Sequence, residues 1–336
     1  MLRTFTRSGQ RVGRSYRWLA GLVALVAFGC LALPPRLRAQ DEVVPAFREA
    51  VQASSRIVLL GDSITAAGLY ATYVDAWIAA RGQPNPPRII DCGLPSETVS
   101  GLSEEGHAGG QFPRPDLHER LDRVLRLTKP DLVIACYGIN CGIYQPFDEG
   151  RFARYQQGIE RLQQQVTQAG AKIVFLTPPF YDDQRAGSSW SYNGVLDQYS
   201  RWLVSQRERG WLVLDLHQRM TEEVRRRREA ESQFTFQPDG VHPDEAGHWF
   251  IASQLILWLG DREASQAASP AAMLAGKKAS PDLLPLVQRR VELLRDAYVG
   301  AAGHQRPGIA PGLPVAEADA QADQITRKIR ELPAAP

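Results

Sequence analysis

The chain has 336 residues, 44% of them hydrophobic, an ordinary globular composition with room for one large core or two smaller ones. The net charge is +2, but residues 1–39 hold seven arginines and no acid, so the remainder carries −5. The apparent basicity therefore belongs to the N-terminus, and a nucleic-acid partner is excluded as a reading of the charge.

Arginines precede the apolar stretch WLAGLVALVAFGCLAL, and LRAQ then puts Ala39 at a cleavage position. Residues 1–39 thus read as a signal peptide, which implies a secreted or periplasmic protein. The apolar core is short for a membrane span, and no later segment is long and apolar enough to make one. An uncleaved anchor is the alternative. A lipoprotein reading through Cys30 meets Phe28 where a small residue is wanted. Cys92, Cys136 and Cys141 remain. A Cys136–Cys141 or Cys92–Cys141 bridge is one reading and buried free thiols at strand ends the simpler one.

Residues 40–55 read as a linker or short entry helix. Short apolar runs then recur at 56–60, 88–92, 131–137, 172–177 and 211–215, rich in Val, Ile and Leu. Such runs suit strands buried on both faces of a parallel sheet. Helical patterns at 69–82, 116–128, 151–170, 193–210 and 244–260 alternate with them. Two of these end at glycines, Gly170 and Gly210, just before the next strand, as C-caps do. Alternation of this kind predicts a doubly wound α/β domain over 56–260 with five parallel strands. The Arg225–Glu229 run reads as a solvated helix face. Residues 261–281, rich in Ala, Ser and Pro, read as a second linker. Two amphipathic patterns in 282–336 predict a C-terminal helical hairpin, whose apolar face needs something to dock on.

In a doubly wound sheet, ligands bind beyond the carboxyl ends of the strands. Four loops stand there: Gly61-Asp62-Ser63 after the first strand, CGLPSET (92–98) after the second, GIN (138–140) after the third, and DGVHPDEAGH (239–248) after the fifth and an intervening helix. Together they supply what acyl transfer requires. A serine hydroxyl needs a base to take its proton, and His242 can be that base. Asp239, three residues earlier, can bond the ring Nδ1–H and leave Nε2 facing Ser63. Asn140 and backbone N–H groups near Ser63 and in 93–96 can hold an oxyanion, each donor contributing roughly 2.7–4 kcal/mol at the transition state.

GDSIT, GLPSET, GIN and DGVHP resemble the four sequence blocks of the SGNH hydrolases, also called GDSL esterases/lipases, in the family's order and over about 200 residues. The resemblance implies a flavodoxin-like three-layer α/β/α fold and a serine esterase site: Ser63 as nucleophile, His242 as base, Asp239 as its orienter and Asn140 as an oxyanion donor. Two departures stand out. The second block usually has a glycine donating its N–H where alignment through Thr98 puts Ser96, with Gly93 three residues earlier, so Ser96 and Gly93 both stay open as donors. The third block usually continues Asn-Asp, whereas Cys141 follows Asn140 here. The GxSxG pattern of α/β-hydrolases is absent.

Ser63 as a turn residue capping the next helix is the bland alternative. Asp62 reads as a bond to loop backbone. His107, in a Gly-rich loop, is either a substrate-loop residue or a loop contact. His118, His217 and His304 read as surface or helix residues, and His248 as packed in the last helix. The aromatics of 178–194, with Tyr144 and Phe147, either stack on sugar rings or cover the core. No metal or cofactor is expected. The expected substrate is a carboxylic ester, with acetyl groups on a polysaccharide preferred. A lipase or thioesterase and a non-catalytic glycan-binding scaffold are the alternatives. Oligomeric state is left open.

Overall fold

A computed structural model describes residues 44–187, 189–275 and 281–332. The leader at 1–39, with Cys30 and Ala39, lies outside the described residues. Helix α1 (Pro45–Gln52) starts on a proline, whose fixed φ suits a first turn, and buries Phe47, Ala50 and Val51. The five apolar runs are the strands β1 (Arg56–Gly61), β2 (Arg88–Asp91), β3 (Leu132–Cys136), β4 (Lys172–Leu176) and β5 (Leu212–Leu214). They form one sheet in the order β2-β1-β3-β4-β5, and every pairing is parallel. This is the flavodoxin-type order. All strand ends thus face one way, and the registers Gly61↔Cys136 and Cys136↔Leu176 bring three of them level.

Helices flank the sheet. A one-turn helix α2 (Ser63–Ala66) follows β1 and leads into α3 (Leu69–Ala80). Next come α4 (Leu117–Thr128), α5 (Glu149–Gln168), α6 (Asp183–Ala186), α7 (Tyr192–Ser205), α8 (Leu216–Arg228) and α9 (Glu245–Trp258). Gly170 (φ 84°) and Gly210 (φ 79°) close the turns before β4 and β5 in the left-handed conformation that glycine adopts freely. The segment expected as a second linker instead carries two short helices, α10 (Arg262–Ser265) and α11 (Pro270–Leu274). Asp261 and Ser269 cap them, and Pro270 begins the second. The arginine run divides. Arg225, Arg226 and Arg227 pair with glutamates of their own helix or its end, whereas Arg228 turns inward to the buried Asp182.

The C-terminal hairpin is α12 (Leu283–Ala302) and α13 (Val315–Glu331). It docks on the main body: α12 lies against α3, α4 and β2, an edge strand of the sheet. Leu283, Val287, Val291, Leu294 and Tyr298 are all buried in that contact or against α13. Arg290 pairs with the buried Asp75 of α3 at 2.8 Å. Cys92, Cys136 and Cys141 are free thiols, all buried. Among the described residues no helix is long and apolar enough to cross a membrane.

If the hairpin is part of the core, Leu294→Ala costs about 2–5 kcal/mol of stability, the range for emptying a buried leucine site. Denaturant unfolding of the two proteins checks this. A loss well under 1 kcal/mol would show a loosely attached appendage.

Candidate active site

The first loop is built for close approach. A Cβ added at Gly61 would stand 2.0 Å from Thr65 Oγ1, so the turn into α2 tolerates only glycine. Asp62 caps α2, its carboxylate accepting the Ile64 N–H at 3.0 Å. Ser63 is the first residue of that helix, and its hydroxyl lies 2.9 Å from His242 Nε2. The other ring nitrogen, Nδ1, is 2.7 Å from Asp239 Oδ2. Asp239 also folds the turn it stands on: its Oδ1 accepts the N–H groups of Val241 at 2.9 Å and His242 at 2.7 Å. One carboxylate thus fixes both the loop backbone and the ring. The loop is tied back to the segment after β4 by Asp182 N–H donating to Gly240 O at 2.9 Å. Asp182 is buried and held by Arg228 at 2.6 Å and by the Thr235 hydroxyl.

The second loop locks onto the first, and the third onto the second. Leu94 N–H donates to Gly61 O at 2.9 Å, and Asn140 Nδ2 donates to Glu97 O at 3.2 Å. The Asn140 Oδ1 accepts the Tyr144 hydroxyl at 2.9 Å, which sets the amide's orientation and leaves its second N–H uncommitted. The two backbone donors considered from sequence part company. Gly93 N–H is engaged by Asp91 Oδ1 at 2.8 Å. Gly93 serves a packing need: a Cβ there would come within 2.4 Å of Ala66 N. No hydrogen bond of the Ser96 N–H is present among the described residues, and Ser96 adopts φ 69°, a conformation that costs a serine about 1 kcal/mol or more.

Beneath these loops lies a group that motif reading did not single out. Glu97 is fully buried and takes a two-pronged pair from Arg120, at 2.6 and 2.8 Å, together with the Tyr137 hydroxyl at 2.6 Å. Arg120 also donates to Cys92 O at 2.7 Å. Burial works against the guanidinium's charge, and Glu97 outweighs it, so Arg120 stays firmly protonated. Two further carboxyls are buried at the strand ends. Burial pushes Asp62 up to about 7, partly offset by the Ile64 N–H and by His242. Burial pushes Asp91 up to about 7 as well, partly offset by the Gly93 N–H and by Arg295. For Asp239, partial burial is outweighed by its bonds from the His242 ring and from the His242 and Val241 N–H groups, which hold the carboxyl below its usual range. His248 stacks near Tyr70, and burial, aided by His242, drops it to about 4, so it stays neutral.

Other candidates fall on the structural side. Tyr181 and Tyr192 are buried, and with Tyr144 they pack on one another at 4.9–5.8 Å between rings. His107 bonds Glu104 at 3.0 Å and meets Phe112 edge-on. Glu104 in turn pairs with Arg114, whose guanidinium lies over the Tyr144 ring. His217 is buried at the start of α8, away from the surface. Cys141, in place of the usual Asp, is buried against Val99 and Ser100. Among the described residues no cluster of three His, Cys, Asp or Glu side chains is arranged to hold a metal.

Comparison with family models matches residues 59–250, more than half of the chain, to the GDSL-like Lipase/Acylhydrolase family. The chain belongs to that family. Membership makes it a carboxylic ester hydrolase. Comparison with curated proteins gave no match. Similar solved structures include a gut microbial diltiazem-metabolizing enzyme, 20% identical over 61% of this chain and 47% of that one, TM-score 0.48. This chain therefore spans about half of that enzyme's length. They also include the acetyl xylan esterase AlAXEase, 18% identical over 60% and 97% of the two chains, TM-score 0.49. A third is Axe2, an acetylxylan esterase from Geobacillus stearothermophilus, 23% identical over 61% and 94%, TM-score 0.47. At such low identity the substrates of those enzymes do not transfer to this GDSL-family chain.

The buried carboxyls carry a pH signature. A carboxyl raised in the folded state binds its proton more tightly folded than unfolded, so its contribution is full below the unfolded value, 3.8, and is lost as pH rises through about 7. Asp91→Asn keeps the acceptor for Gly93 N–H and removes the ionisable group. The fall in Tm between pH 5 and pH 8 is expected to be smaller in this variant than in the parent. An equal fall in both would show that Asp91 is not neutral in the folded protein at low pH.

Proposed function

We propose that this GDSL-family hydrolase is an exported serine esterase with Ser63 as nucleophile, His242 as general base and Asp239 as the group that orients the ring. The observation that carries the reading is the unbroken Ser63–His242–Asp239 chain of hydrogen bonds, 2.9 and 2.7 Å long. With Nδ1–H donating to Asp239, Nε2 is free to take the Ser63 proton as Oγ attacks the ester carbonyl. The negative oxygen that forms is held by the N–H groups of Ser63 and Ser96 and by Asn140 Nδ2; the Gly93 N–H, engaged by Asp91, is not among the donors. Collapse of the adduct expels the alcohol, which leaves with the proton on His242. Water, activated by the same imidazole, then frees the acid from Ser63.

The setting favours a small acyl group on a large polar carrier, such as acetyl on a polysaccharide. The side chains of His242 and Asp239 are 52% and 57% exposed, so a bulky carrier can approach. Among the described residues the one large hydrophobic side chain that is exposed is Leu313, in the hairpin loop. A long acyl chain would require an apolar trough to lie in. Export is supported by the basic and then apolar order of residues 1–39. On this reading 56–260 is the hydrolase domain and 282–336 a C-terminal extension, whose hairpin docks on it through α12.

Labelling with a fluorophosphonate probe and mapping the adduct tests the nucleophile. The label is expected on Ser63, and Ser63→Ala and His242→Ala lower kcat by several orders of magnitude with melting unchanged. Asn140→Ala costs about 10²–10³-fold in kcat. Full turnover by Ser63→Ala would overturn the mechanism. A series of aryl esters tests the acyl group: acetyl is expected to be turned over best, and a preference for long chains would make the protein a lipase or thioesterase instead.

A further inference from the structure

The hairpin lies outside the family-matched region 59–250, yet it touches the segment that carries Ser63. We propose that Arg295 of α12 is a positioning residue for Ser63: by donating to the Ala66 carbonyl it fixes the one-turn helix on which the serine stands. The inference rests on Ser63 as the nucleophile.

A helix of four residues has no stability of its own, because so short a segment cannot repay its nucleation cost. The pose of α2 is therefore imposed from outside. At its start the Asp62 carboxylate accepts the Ile64 N–H. On its flank Thr65 Oγ1 bonds the Tyr70 hydroxyl at 2.9 Å, and Gly93 presses backbone to backbone. Its end is held by Arg295, whose Nη1 donates to Ala66 O at 3.0 Å across 229 residues of sequence. The last carbonyls of a helix lack intrahelical partners and carry its negative pole, so a guanidinium is the favoured group there.

Three features show a built contact. Gly68, at φ 75°, leaves a slot for the guanidinium: a Cβ added there would be 3.3 Å from Arg295 Nη1. The same Cβ would be 3.8 Å from Asp91 Oδ2, a buried oxygen with no hydrogen-bond partner. Asp91 holds Gly93 through its other oxygen, so the arginine's charge bears on the second loop as well. Finally, Arg295 itself is steadied by Asp296 at 2.9 Å, and α12 by the Arg290–Asp75 pair one turn away. Reaction at Ser63 needs the attacking oxygen placed within a fraction of an ångström, and a misplacement of about 1 Å can cost on the order of 10²-fold.

The test uses the full chain. Competent sites are counted with the fluorophosphonate, and kcat per counted site is measured on an aryl acetate. Arg295→Ala is expected to lower kcat per site about tenfold or more with KM within about twofold, a partial loss of placement. Arg295→Lys, which keeps the charge and a donor, recovers most of it. Should Arg295→Ala fail to fold, Arg295→Gln gives the same reading. A merely structural role would lower the number of counted sites and leave kcat per site as it was. Arg88→Gln, which breaks the hairpin's pairs with Asp319 and Asp323, is expected to leave kcat per site unchanged. An unaltered kcat per site in Arg295→Ala, or an equal loss in Arg88→Gln, would overturn the proposal. Ser63→Ala separates the two levels: if it is inactive while Arg295→Ala is normal, only the positioning inference fails, and if Ser63→Ala is active, the nucleophile assignment fails first.

Discussion

The hydrogen bond between Ser63 and His242 spans 179 positions of sequence, and nothing local can make it. It exists because the loop that leaves β1 and the loop that leads into α9 meet at the carboxyl edge of a parallel sheet. A parallel arrangement puts every strand's carboxyl end on one side. The level register of β1, β3 and β4 then makes that side a flat mount. Strands buried on both faces cannot shift without opening the core, so the mount is rigid. What the loops add is fine placement, each secured to a neighbour: Leu94 to Gly61, Asn140 to Glu97, Gly240 to Asp182.

Fine placement is obtained at some cost in stability. Glu97 with Arg120, Asp182 with its half-buried partner Arg228, and the raised carboxyls of Asp62 and Asp91 lie beneath the rim, every carboxyl among them buried. Pairs of this kind contribute little net stability over apolar packing, but losing one partner leaves a buried charge exposed to a low dielectric. Ser96 adds a left-handed backbone of the type that non-glycine residues resist. Strain and buried charge gathered at one rim, in a protein otherwise packed with Val, Ile and Leu, fit a site whose geometry matters more than its stability.

How much of this was legible in the sequence depended on range. The five apolar runs became the five strands because burial on both faces forces an unbroken apolar stretch. The Asp239–His242 bond was legible because three residues of turn are enough to close it. That Asp91 engages the Gly93 N–H was not legible, since it is a contact no spacing reveals. The Glu97–Arg120 pair joins a loop to α4, and the bond from Arg295 to Ala66 joins the hairpin to α2; each needs the tertiary fold before either partner stands out. The aromatics of 178–194 have the same composition whether they cover a core or meet a ligand, and most of them cover the core. The helix at 270–274 could have been found: Ser269 followed by Pro270 is a start signal that the Ala- and Ser-rich composition masked.

The most direct measurement is a crystal structure of the protein after reaction with a fluorophosphonate. It is expected to show phosphorus bonded to Ser63 Oγ. The phosphoryl oxygen should lie within hydrogen-bond range of the N–H groups of Ser63 and Ser96 and of Asn140 Nδ2, with His242 still between the adduct and Asp239. An adduct on another residue, or a phosphoryl oxygen turned to solvent with those donors unoccupied, would contradict the account.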